Sequence, residues 1–206
     1  MTVLQFQMLY GISELDLPEF EKATEMVKVM TGLTDKKIER MSMRRFNRIC
    51  SKVSNAFNLE HGKPARYLRS GKRLYKVHLE IRNMNAARYV EGVEYGKDII
   101  MNLHKILATM VQPCTWYGKL LPYDASKHEQ YADDMLNVDF LKAYSCGVFF
   151  CSLFSELMRV SQPYMIQQLK SKGLTELKAT KHIEDLQIVL DGLAASRQWQ
   201  NMKGLN

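Results

Sequence analysis

Little in this chain of 206 residues breaks or staples its backbone. It holds 11 Gly and 5 Pro, with no repeat period and no low-complexity stretch, which excludes collagen-like, solenoid and largely disordered architectures. Four cysteines, Cys50, Cys114, Cys146 and Cys151, have no short paired spacing. Met1 to Tyr10 lacks the basic opening of a secretory leader, so the four are expected to be reduced thiols. The longest apolar run, Cys146 to Phe154, is about half of the roughly 20 residues that cross a bilayer, so a buried helix is expected there and no membrane partner.

Recognisable site chemistry is equally sparse. Cys146 and Cys151 are five residues apart on an expected helix, a rotation of about 500°, so their thiols diverge and no metal site is expected. His128-Glu129 has no second His to complete a metalloprotease pattern, and Gly62, Gly71, Gly92, Gly96 and Gly118 are too dispersed to cradle a phosphate. Neither Cys50 nor Cys114 has a sequence-local His to activate it as a nucleophile. Asp124, Glu129, Asp133, Asp134 and Asp139 cluster, with Glu129 and Asp133 on one helix face, and the expected reading is a solvated helix surface or pairing with Lys127 and Lys142. No catalytic residue and no cofactor is therefore assigned.

What the chain does have is charge in one place. Between Thr34 and Arg82 there are 14 Lys and Arg against Asp35, Glu39, Glu60 and Glu80, a surplus of ten in a protein whose net charge is +7. The flanks are slightly acidic, beginning with Glu14, Asp16, Glu19, Glu21 and Glu25. It also has 13 methionines, whose adaptable thioethers suit either gap-filling in a core or contact with a partner helix.

Periodicity assigns a mainly α fold with a small β-hairpin and a bundle-like helical core. Pro18 followed by acidic residues starts a helix that Gly32 stops; Thr34 caps a short helix over Asp35 to Met41, and Ser42 caps one over Met43 to Phe57. In the last of these, Phe46, Ile49, Val53 and Phe57 share a face, while Arg44, Arg48 and Lys52 line the opposite one. Tyr67 to Ile81 changes to period two and reads as a hairpin about Ser70-Gly71-Lys72, with Tyr75, Val77, Leu79 and Ile81 on one side and basic residues on the other. Helices are expected again at Ala86 to Val93, Lys97 to Val111, Lys127 to Leu136, Phe140 to Val160 and Thr175 to Gln198. Gln112 to Ser126, with Pro113, Gly118 and Pro122, is the expected long loop. The chain thus divides into a basic helix–hairpin unit, 1–83, and a helical unit, 84–206, which can pack as one domain.

Two surfaces stand out as candidate sites. Arg44, Arg48, Lys52, Arg69, Lys72, Arg73 and Lys76 form a candidate basic docking surface, with Tyr67 and Tyr75 as stacking faces if the ligand is a nucleic acid; an acidic protein partner or plain solvation fits the same charges. Trp116, Tyr117 and Tyr123 make the expected loop a candidate partner-binding element.

The run Ile12-Ser-Glu-Leu-Asp-Leu-Pro-Glu-Phe-Glu-Lys, then Met30-Thr-Gly-Leu-Thr-Asp-Lys-Lys-Ile-Glu-Arg-Met and Arg44-Arg-Phe-Asn-Arg-Ile, resembles tailed-phage tail assembly chaperones and related small virion-morphogenesis proteins. Arg88-Tyr-Val-Glu-Gly, Leu103-His-Lys-Ile-Leu-Ala, Tyr117-Gly-Lys and Ala132-Asp-Asp-Met-Leu resemble proteins from phages of Bacteroides-type hosts. The resemblance implies a non-catalytic protein that binds a phage structural protein, in the host cytoplasm during assembly or in the virion, with self-association open. A head–tail connector or packaged cargo protein, and a non-specific nucleic-acid-binding module, are the alternatives.

Overall fold

The computed structural model describes residues 1–57, 62–79 and 98–151, with isolated positions 95, 175, 180 and 181. The fold is mainly α with a small antiparallel sheet. Its elements run α1 (Val3–Ser13), α2 (Glu19–Thr31), α3 (Asp35–Glu39), α4 (Met43–Phe57), β1 (Tyr67–Ser70), β2 (Arg73–Val77), α5 (Ile99–Met110), β3 (Val111–Cys114), a 3-10 turn (Ala125–Lys127) and α6 (His128–Leu136). Residues 140–151 are helical as well. The helices expected at Ala86 to Val93 and Thr175 to Gln198, and the far end of the one from Phe140, lie outside the described residues.

Local chemistry explains the helix boundaries. Pro18 has φ −55° and stands just before α2, its carbonyl accepting from Lys22 N at 3.0 Å. Gly32 ends α2 at φ 66°, a left-handed conformation that side chains disfavour. Thr34 precedes α3 without a side-chain cap, and α3 closes at Glu39 rather than Met41. Asp139 caps the helix that follows it, its carboxylate accepting from Lys142 N at 3.2 Å.

Helix α1 was not expected from periodicity, because its apolar residues encircle the axis instead of forming a stripe. The signal it does carry is a capping box. Thr2 Oγ1 accepts from Gln5 N at 3.2 Å while Gln5 Oε1 accepts from Thr2 N at 3.0 Å. The helix is buried through Val3, Phe6, Gln7 and Leu9. Phe6 stacks on Phe140 with centroids 3.7 Å apart and meets Phe57 at 5.5 Å; burying such a ring contributes about 1.5–3 kcal/mol. Gln7 satisfies its buried amide on α5, donating to the carbonyls of Ile100 at 2.9 Å and Met101 at 2.8 Å.

The hairpin has a third strand. β1 pairs antiparallel with β2 (Leu68 opposite Tyr75), and β2 pairs antiparallel with β3 (Tyr75 opposite Pro113). The helix expected to reach Val111 therefore stops at Met110, where Val111 turns extended to pair with Val77, and the expected loop begins with a strand. Pro113 is tolerated there because β3 lies at the margin of the sheet, where a missing N–H breaks no central ladder. Its carbonyl still accepts from Leu121 N at 2.9 Å, and Cys114 bridges to Leu120. One core cluster takes residues from both sides of position 83, including Phe6, Phe57, Leu68, Leu103 and Phe140. A smaller cluster joins Val27, Ile38 and Phe46 under α3.

Because a Cβ at Gly32 would meet nothing within 4 Å, only its backbone angle requires glycine. Gly32→Ala should lower stability by about 1–2 kcal/mol in urea denaturation, and Gly32→Asn should cost less, since Asn tolerates the left-handed region.

Candidate functional site

The seven candidate basic residues divide between two elements with different neighbours. On α4, Arg44, Arg48 and Lys52 are exposed, opposite Phe46, Val53 and Phe57, which are buried, and Ile49, which is half-buried; α4 packs on α2. On the sheet, strand alternation separates the rest. Leu68, Ser70, Tyr75 and Val77 face the core; Tyr67 and Arg69 are exposed, and Lys76 is half-buried on the outer side. Lys72 sits in the turn and is exposed.

Arg73 shares the inward parity of Tyr75, and its guanidinium is engaged. Its Nη1 donates to Asp134 Oδ2 on α6 at 2.7 Å, and the Tyr75 hydroxyl donates to the same oxygen. Arg73 thus stands on the opposite parity from Lys76 and is paired, while its side chain stays exposed. Tyr75 is no stacking face, because its ring is buried and meets Tyr131 edge-on at 6.0 Å. Burial, and then the hydrogen bond to Asp134, push the Tyr75 hydroxyl well above its ordinary range.

The expected loop resolves into a turn and a short return. Thr115 N donates to Lys119 O at 2.8 Å and Gly118 takes φ 86°. Trp116 is 87% exposed and Tyr117 63%, set edge-on to each other at 5.4 Å. Tyr123 is different: it is half-buried against the core and Tyr131 at 5.6 Å, so it helps hold the segment in place.

Among the acidic residues, Asp124 pairs with Lys127 at 3.2 Å, and its carboxyl is held below the usual range first by the Ser126 hydroxyl and then by Lys127. Burial raises all four thiols, Cys146 to about 11 and Cys151 to about 12, opposite to the shift a thiolate nucleophile needs. All four cysteines are free thiols, and among the described residues no group of three His, Cys, Asp or Glu could hold a metal ion.

Two grooves flank α2, and periodicity alone did not reveal them. The first, of about 390 Å³, runs between α2 and α4 over Ala23, Met26, Cys50, Val53 and Phe57. The second, of about 760 Å³, is walled by Leu15, Ile38, Met41, Met43 and Phe46. Phe20 lines both, 66% exposed and 5.8 Å from the Phe46 ring. Around the second groove stand Glu21, Glu25, Asp35 and Glu39 with a single cation, Lys28. Lys28 is already spent, bonded to Asp35 and to Glu25, the latter at 2.5 Å, and these partners raise its pKa. The signal in the sequence was the acidic start of α2 with a large apolar residue, Phe20, between two glutamates.

The methionines divide between core and surface. Met26, Met110 and Met135 are buried, whereas Met8, Met43 and Met101 are exposed. Comparison of the chain with protein-family models, curated proteins and solved structures finds no match.

The Tyr75 proton is held more tightly in the folded state, so above pH 10 the folded chain binds more protons than the unfolded one and stability falls as pH rises. Tyr75→Phe should cost about 1.5 kcal/mol at pH 7, read by urea denaturation, and should flatten the alkaline decline.

Proposed function

We propose that this chain is a non-catalytic assembly protein that holds an apolar segment of another polypeptide in the grooves beside α2, in the manner of a phage tail assembly chaperone. The carrying observation is Phe20, a large ring left exposed where two grooves meet. Leaving such a ring in water is unfavourable, and covering it is the kind of contact that dominates a binding interface. Exposed Met43 and Leu15 extend the same apolar surface, and thioethers let it adapt. Four carboxylates around it face Lys28, which is paired with Glu25 and Asp35, and the surplus of negative charge favours a segment that carries Lys or Arg beside its apolar residues.

The phage setting rests on the resemblance of residues 12–49. Those residues supply Ile12, Leu15, Leu17, Phe20, Met41 and Phe46 to the larger groove, so the motif and the surface coincide in the chain. The partner is accordingly a phage structural protein.

A tagged chain should capture a virion structural polypeptide from infected cells. Phe20→Asp, at an exposed position, should weaken that complex by about 2 kcal/mol or more in calorimetry with the purified partner. Capture of no structural polypeptide, or capture indifferent to Phe20→Asp, contradicts the proposal. Mass spectrometry of mature particles then separates a chaperone, which is absent, from a connector or packaged protein, which is present.

A further inference from the structure

We infer that the outer face of the three-stranded sheet, together with the turn at Trp116-Tyr117, binds single-stranded nucleic acid. The inference is independent of the grooves beside α2. Its first support is charge. Residues 67–77 and 111–121, which build this sheet and its turn, contain five Lys and Arg and no Asp or Glu. Among the described residues the carboxylate that reaches them, Asp134, bonds Arg73 and Tyr75 on the inward parity of β2. Arg69, Lys76 and Lys119 are left on or beside the outer face without an acidic residue in either segment.

The second support is the placement of rings. In the register of the sheet Tyr67 lies opposite Lys76, and Lys76 opposite Gln112, so one row crosses all three strands on the outer side. The turn after β3 folds back over that row: a Cβ at Gly118 would stand 3.4 Å from the Tyr67 hydroxyl. The close approach sets the turn that carries Trp116 and Tyr117 against Tyr67, which is itself exposed. Gln112 anchors the return by donating to Leu121 O at 2.7 Å and pairing with His78 at 2.8 Å. The turn is thus held while its two rings project.

Projecting rings among cations match the needs of an unpaired strand. Bases stack on aromatic faces whatever their identity, and phosphates meet the flanking Lys and Arg. A duplex hides its base faces, so Trp116 and Tyr117 would find nothing there to stack on. An acidic polypeptide would use the charges but leave Trp116 and Tyr117 without their stacking partners.

Fluorescence anisotropy of a labelled 20-nucleotide oligo(dT) with the full chain tests the inference. Binding should appear at low salt, and neutralising about three phosphates should give a log–log salt slope near −2. Replacing Trp116 and Tyr117 together by Ala should weaken binding roughly tenfold or more, with circular dichroism unchanged because both side chains are exposed. The same-length duplex should bind more weakly, and Ala at Arg44, Arg48 and Lys52 together should change the affinity less than twofold. Absence of oligonucleotide binding overturns the inference. So does binding that ignores the Trp116 and Tyr117 substitutions or follows the α4 residues instead. Self-association of the chain that is lost with Trp116→Ala, without oligonucleotide binding, assigns the face to a protein contact and overturns it as well.

Discussion

Asp134 receives two donors from one strand, and the outer half of the molecule is arranged around that fact. A three-stranded sheet of four- and five-residue strands is too small to stand alone and must be held by one face. Here α6 holds it, through Tyr75 against Tyr131 and through the carboxylate that accepts from both Arg73 and Tyr75. Because those residues share the inward parity of β2, the opposite parity is left to Tyr67 and Arg69, which are exposed, and to Leu74 and Lys76, which the return after β3 half-covers. The same ion pair therefore docks the sheet and determines which of its cations remain available.

The helical half answers to a different constraint. α1 is enclosed through Phe6 and Gln7, which connect it to the helix at 140–151 and to α5, so α2, α3 and α4 are laid over one side of an already filled core. The short α3 covers Val27 and Phe46 with Ile38 but leaves Phe20 and Met43 uncovered. The grooves follow from that incomplete cover. The larger groove beside α2, with its carboxylates, and the basic, aromatic sheet face are thus opposite in charge and separately built.

Much of this was legible in the residues, and the failures have physical causes. The bounds of α4, the stop at Gly32 and the turn at Gly71 depend on local propensity and capping, which sequence reports well. β3 was hidden because its partner is β2, more than thirty residues earlier, and a Pro and a Gln at its centre carry no strand preference of their own. α1 was hidden because apolar Leu4 and Met8 stand on its exposed side as well, which erases the stripe, although Thr2 and Gln5 announced it. The inward parity of Arg73 and Tyr75 follows from the same alternation that turns Val77 inward. Of the grooves the sequence carried only Phe20 between Glu19 and Glu21, because their walls are brought together by the packing of α2, α3 and α4.

Hydrogen exchange of Asp134→Ala against the unaltered chain tests the dependence on Asp134 most directly. Loss of the carboxylate should speed exchange across Tyr67–Ser70, Arg73–Val77 and Val111–Cys114 while α1, α2 and α4 keep their protection. Unchanged protection in the sheet, or an equal loss everywhere, would contradict the view that this one side chain docks the sheet and frees its outer face.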